Sequence, residues 1–335
     1  VTTWKTDNVS DYSSSRNQIK IRTRGDGYNY SVDWGDGNSN ENITGDITHT
    51  YDAVGIYTVS INGEFPQIYF NLHGDSDNRK LLTIEQWGDI RWQDMTSAFE
   101  ETPLLEGKAQ DTPNLSEVKS TARMFNQSSF NQNINDWDVS NIETMSAMFA
   151  NSAFNQEIGD WDVSNVINIS SMFYNSVFNQ DISQWDVSNV RYMDKTFGNH
   201  RYRSPHGSNK FNQDISQWNV SSVITMEEMF YGEKDFNQDI ANWDVSNVQN
   251  MSNMFYRASA FNQNIGNWDV SNVKDMSYMF NSASAFNQYI GNWDVSNVKD
   301  MSFMFSFANS FNQGVGDWDV SSVTKMAGMF QAAVA

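Results

Sequence analysis

From about residue 80 onward, apolar positions recur in one fixed order. In Phe130–Phe149 they fall at Ile134, Trp137, Val139 and Ile142, and then at Met145, Met148 and Phe149. The first set contains an apolar–polar–apolar step at Trp137-Asp138-Val139, which predicts a short strand followed by an inward turn. The second set is spaced i, i+3, i+6 and i+7, which predicts one face of a short helix. The same sentence restarts at Phe154, Phe178, Phe211, Phe236, Phe261, Phe286 and Phe311, at intervals of 24, 24, 33, 25, 25, 25 and 25 residues. Two decayed copies come before it, at Trp87–Phe99 and Pro113–Phe125, where Met95 and Phe99 match Met145 and Phe149. About ten units therefore run from near Lys80 to Phe330. One unit cannot bury its apolar face alone, so stacked units share a continuous core, with strands about 4.8 Å apart.

Residues 1–70 follow a different pattern. QIKIRTRG, YNYSVDWGDG and GIYTVSING alternate apolar and polar residues and end in glycine-containing turns, which predicts strands, with Asp36-Gly37 in a tight turn. The chain thus divides into a β module at 1–70, a joint at 71–79 and the repeat array at 80–335. Within the array, 80–129 is degenerate, 130–335 is regular, and 198–209 is an insertion. The N-terminal module is placed to cover the strand edges and core of the first repeat.

The repeat matches the LxxLxLxx frame of leucine-rich repeats. It resembles the BspA-like bacterial surface proteins, in the subgroup with a roughly 25-residue FNQDISxWDVSNVxxMxxMF unit. The pairing of Trp34–Gly37 (WGDG) with His49–Val59 (HTYDAVGIYTV) resembles a PKD-like β-sandwich. These resemblances imply an α/β solenoid: a right-handed coil of strand–turn–short-helix units, capped by a small β-sandwich-like domain. They also imply an extracellular place on a bacterial cell surface and attachment to proteins, to other cells or to host surfaces. Large calcium-dependent adhesins string such modules together. The first residue is Val1, with neither Met nor a signal peptide, so the chain reads as a fragment of a larger protein.

Composition narrows the function. Formal charge is −20, which repels nucleic acid and anionic lipid and favours cations or cationic partners. There is no cysteine and there are only four histidines, which removes thiolate chemistry and disfavours a histidine zinc site. No apolar stretch is long enough for a membrane span. No nucleophile–base spacing, phosphate-binding glycine loop or metalloprotease motif occurs, so the expectation is a protein that is not an enzyme.

Several columns of the repeat could carry chemistry. The tryptophans and the Met and Phe columns read as core. The Asn-Gln pair, Asn131 and Gln132 in the first copy, reads as a hydrogen-bond ladder that satisfies backbone at the bend. The aspartate row (Asp138, Asp162, Asp186, Asp244, Asp269, Asp294 and Asp319, interrupted by Asn219) alternates out of the core onto an expected concave sheet face. Two readings stay open there: a solubilising row whose carboxylates accept nearby backbone bonds, or a polyanionic groove for a basic ligand. Oxygen donors favour Ca²⁺, with Asp136, Asp138, Asp160 and Asp162 as the possible ligands. The insertion brings His200, Arg201, Tyr202 and Arg203 to an acidic body, either as a contact loop or as a tolerated surface loop. At the C-terminal end, Val323, Met326, Met329 and Phe330 would line an open face, where two copies could pair. The expected function is adhesion through protein or glycan contact, with homodimerisation or a passive spacer as the alternatives.

Overall fold

The computed structural model describes residues 1–70, 77–200 and 210–334, in two compact units, Val1–Gln156 and Glu157–Ala335. The first unit holds all the named strands: β1 (Thr2–Lys5), β2 (Gln18–Ile21), β3 (Asn29–Asp33), β4 (Ser39–Ile43), β5 (Ile47–Thr50), β6 (Ile56–Glu64), β7 (Leu81–Ile84) and β8 (Glu106–Gly107). One sheet runs β4-β3-β6-β1-β7-β8, and β2 pairs with β5 in a second. The alternation read in the sequence is kept, with Tyr30 and Val32 of β3 and Ile19 and Ile21 of β2 buried. Gly35, at the tight turn after β3, has φ +76°, and a Cβ there would strike the Thr58 carbonyl. The two halves of the WGDG…HTY signature meet: the His49 ring stacks on Trp34 at 4.8 Å, and Nε2 lies 2.8 Å from Asp36 Oδ2.

The sheet continues into the repeats. β7 pairs antiparallel with β1 and parallel with β8, so the edge offered by the first decayed repeat is occupied by the N-terminal module. Beside it, Lys80 and Asp77 form a fully buried pair at 3.2 Å. The ammonium also donates to the carbonyls of Ser14, Ser15 and Gln18, which ties the loop before β2 to the start of the array.

The expected α/β solenoid of strand–turn–short-helix units is corrected. No helix forms among the described residues, and the strands are confined to β1–β8. The segments read as helices are trains of turns. In the first unit, the Arg123, Phe125 and Gln127 amides donate to the Ser146, Met148 and Ala150 carbonyls of the next repeat, at 2.8–2.9 Å. The intervening amides close three-residue turns, as in Met148 N–H to the Met145 carbonyl at 3.1 Å and Ala150 N–H to Ala147 at 3.1 Å. An α-helix needs every amide to reach four residues back. Here alternate amides leave for the neighbour, and Ala147 and Asn151 sit at φ 53°, which a helix cannot contain. The second unit repeats this arrangement: Asn253 and Phe255 donate to Ser277 and Met279 of the next repeat, and isolated parallel bridges link Asn168, Tyr192, Thr225, Asn250, Asp275, Asp300 and Lys325 in series. A spacing of three to four residues is shared by helices and by runs of i→i+3 turns, so the apolar pattern alone did not separate them.

The expected strand at Trp-Asp-Val is corrected too. That segment forms no strand and lies between two turns, one closed by Trp137 N–H to the Ile134 carbonyl at 3.1 Å and the other by Ile142 N–H to Val139 at 2.9 Å. Pairing between repeats lies further along, at the turn train.

The core columns are as read. In the second unit the indoles of Trp185, Trp218, Trp243, Trp268, Trp293 and Trp318 are buried, and each Nε1–H donates to the isoleucine carbonyl one repeat earlier at 2.9–3.2 Å. Paired phenylalanines stack beside them, for example Phe255 on Phe261 at 3.9 Å and Phe280 on Phe286 at 4.0 Å.

Candidate functional site

The aspartate row is exposed, and its local geometry explains it. Asp138 Oδ1 accepts the amide of Ser140 at 3.1 Å and its hydroxyl at 2.6 Å. In the second unit, Asp162, Asp186, Asp244, Asp269, Asp294 and Asp319 each accept the amide of the serine two residues on, at 3.0–3.1 Å. This is an Asx turn, in which a side-chain oxygen stands in for a backbone acceptor. The serine hydroxyl and amide hold the carboxyls of Asp162, Asp244 and Asp294 below the usual carboxylate range, and for Asp319 the amide acts first. Asn219, which interrupts the row, accepts the same two bonds from Ser221. The turn therefore needs an oxygen and not a charge. Since Trp-Asp-Val is not a strand, the expected concave sheet face beneath the row is absent.

Among the described residues no three acidic or imidazole groups converge to hold a metal ion. Asp138 and Asp162, two of the four expected ligands, each commit an oxygen to a serine.

The Asn-Gln column is a ladder, as read. In the second unit Asn212, Asn237, Asn262 and Asn287 each receive the amide of the next repeat's asparagine at 2.9–3.1 Å. The following glutamine returns its amide to the earlier asparagine, as Gln263 does to the Asn237 carbonyl at 2.9 Å.

Arg201, Tyr202 and Arg203 of the insertion lie outside the described residues. His200, just before them, is held on three sides. Its amide donates to Asn175 Oδ1 at 2.6 Å, its ring stacks on Tyr231 at 4.0 Å, and Nε2 lies 3.1 Å from Glu228 Oε2. At the last repeat, Met326 and Phe330 are 41% and 47% exposed, whereas their counterparts Met301 and Phe305 are 0% exposed. Met329 is buried and Val323 half-buried.

One surface was missed in the sequence. A line of rings runs over the turn trains of the second unit, outside the core. Tyr174 meets His200 at 5.5 Å, His200 stacks on Tyr231, Tyr231 on Tyr256 at 4.6 Å, Tyr256 meets Tyr278 at 6.3 Å, and Tyr278 stacks on Phe303 at 4.9 Å. All six are half-buried. The signal was present as the tripeptide Met-Phe-Tyr at Met172–Tyr174, Met229–Tyr231 and Met254–Tyr256, whose tyrosine falls where other repeats carry Ala150, Gly198 or Ser306.

No helix among the described residues is long and apolar enough to cross a membrane. No curated protein and no solved structure matches the chain. The family described as "Mycoplasma protein of unknown function, DUF285" matches three times in tandem, over residues 93–206, 203–284 and 261–335. The matches begin within the first decayed repeat and follow the array to residue 335, so this chain belongs to the DUF285 family of repeat proteins.

Proposed function

We propose that this chain is an adhesion module of a bacterial surface protein, attaching one cell to another or to a surface by protein–protein contact without catalysis. The observation that carries this reading is a division of labour within the repeat. Buried columns are reused almost residue for residue, while the half-buried left-handed turn position runs Ser171, Lys195, Glu228, Asn253, Tyr278 and Phe303 through the second unit. A constant scaffold with a varied, partly exposed position is how stacked repeats present a recognition surface. The charge of −20 suits a basic partner. The family's tandem matches support a repeat protein of this kind. The reading does not depend on calcium: the surfaces it draws on are protein–protein contacts, and the test compares Ca²⁺ with chelator.

Beads coated with the full chain test it on surfaces bearing a basic protein, an acidic protein, a neutral polysaccharide or nothing, in Ca²⁺ and in chelator. Retention on the basic protein above the bare surface, equal in both solutions, is expected. Equal retention on every surface removes the adhesion reading and leaves a spacer.

A further inference from the structure

We propose that the ring line Tyr174, His200, Tyr231, Tyr256, Tyr278 and Phe303 is the docking strip for a partner protein that presents basic side chains. This deepens the adhesion reading and rests on it. It moves recognition from the aspartate row to the turn trains.

Backbone preference argues first. Tyr278 and Phe303 sit at φ 59° and 57°, and exposed Phe307 at 56°. In that region an L residue is disfavoured, and glycine or asparagine is preferred. The matching positions carry Ser171, Lys195, Glu228, Asn253 and Gly328, so the turn itself does not call for an aromatic ring. The core does not use these rings either, because the Phe and Trp stacks are complete without them. Two rings of the line, Tyr278 and Phe303, are thus kept at left-handed, half-buried positions that other repeats fill with Ser171, Lys195 or Asn253. Strain of this kind marks surfaces kept for function.

Ring geometry sets the kind of partner. Three contacts along the line are face to face, His200 on Tyr231, Tyr231 on Tyr256 and Tyr278 on Phe303, so both faces of Tyr231 are taken by other rings. Tyrosine and phenylalanine are enriched at protein interfaces, and Arg257, over the Tyr256 ring at 5.1 Å, is a like charge that a basic partner would meet beside them.

Charge sets the sign of the partner. Glu228 takes both His200 Nε2 at 3.1 Å and Lys195 Nζ at 3.7 Å. Glu227 adjoins it, and Asp194 Oδ1 accepts the Thr225 hydroxyl. Burial, and then the charges of Glu228 and Asp194, push the Glu227 carboxyl up against the pull of Lys195. Together with the chain's charge of −20, this carboxylate cluster favours a partner that brings cations.

The test measures binding of the full chain to immobilised short peptides graded from acidic to basic net charge. Four proteins are compared: the parent, Tyr231→Ala with Tyr256→Ala, Arg257→Ser, and Asp244→Asn with Asp294→Asn. The parent is expected to prefer basic peptides, and loss of the two rings to weaken binding by about tenfold or more. Arg257→Ser, at an exposed residue whose loss leaves folding intact, is expected to strengthen it by removing a like charge. The aspartate pair is expected to change it by less than about threefold. If the ring variant melts like the parent and still binds like it, or if Arg257→Ser weakens binding, the strip assignment is overturned while the adhesion reading stands. If the parent holds no peptide of any charge, both fall.

Discussion

Asn219 accepts the amide of Ser221 at 3.2 Å and its hydroxyl at 2.7 Å, the same two bonds that Asp138 takes from Ser140. The repeats thus contain their own substitution experiment: an amide oxygen replaces a carboxylate and the turn is unchanged. Asp244→Asn is therefore expected to leave urea stability within about 0.5 kcal/mol of the parent, and Asp244→Ala to cost about 0.5–1.5 kcal/mol through loss of the turn bonds. Equal losses in both variants would show that the charge itself matters to folding.

The same carboxylates set an acid limb of stability. Their folded-state pKa values lie below the ordinary 3.8 for Asp162, Asp244 and Asp294. Their contribution is complete above the unfolded pKa and is lost as pH falls through the lower folded values, that is, below about pH 4. Urea midpoints taken from about pH 5 to about pH 2.5 should fall for the parent and fall less for Asp244→Asn with Asp294→Asn. An identical slope for both proteins would contradict this.

Glu233 carries the opposite sign. Its Oε2 accepts the Phe211 amide at 3.0 Å, the task that the Ser176 hydroxyl performs for Phe178 at 3.2 Å, and Oε1 is buried without a partner. Burial first, with Asp235 adding to it, raises the carboxyl well above the ordinary 4.5, against the Phe211 and Asn199 bonds. A raised folded pKa gives stability that is whole below the unfolded value and drains as pH rises toward the folded one, by up to about 1.4 kcal/mol per pH unit. Glu233→Gln is expected to melt above the parent at about pH 8 and to lose that advantage near about pH 4. A variant that melts lower at both pH values would refute the assignment.

Trp268 tests the coupling between repeats. Its Nε1–H reaches the Ile240 carbonyl at 3.0 Å, which also receives the Trp243 amide at 3.2 Å within its own turn. Trp268→Phe keeps a ring in the column but removes the bridge, at an expected cost of about 1–3 kcal/mol in chemical denaturation, with Trp268→Ala at about 3–5 kcal/mol. Near-neutral Trp268→Phe would mean that the indole bond adds nothing.

The sequence made the repeat, its inward residues and its asparagine ladder legible, because burial of Trp137, Val139 and Phe149 and pairing of neighbouring amides follow from residue type at a fixed interval. It did not reveal how the backbone connects those residues. Ile142, Met145, Met148 and Phe149 are inward in a helix and equally in a run of turns. What decides between them is φ at Ala147 and Asn151, and nothing in alanine forecasts a left-handed conformation. The aspartate row drew attention because charge stands out in a sequence, and of its two open readings the hydrogen bonds favour the one in which carboxylates accept nearby backbone amides, as Asp138 does from Ser140 and Asp244 from Ser246. The ring line was hidden for the opposite reason. Tyr256 and Tyr278 occupy different positions in their repeats, so no single column contains the line.

The left-handed residue in each turn train is the most exacting point of this account, and Ala147→Gly tests it most directly. With φ at 53°, alanine pays a steric penalty that glycine does not, so urea denaturation should find Ala147→Gly as stable as the parent or up to about 1 kcal/mol more stable. Loss of about 1 kcal/mol, the ordinary cost of glycine inside a helix, would contradict the turn train and restore the helix.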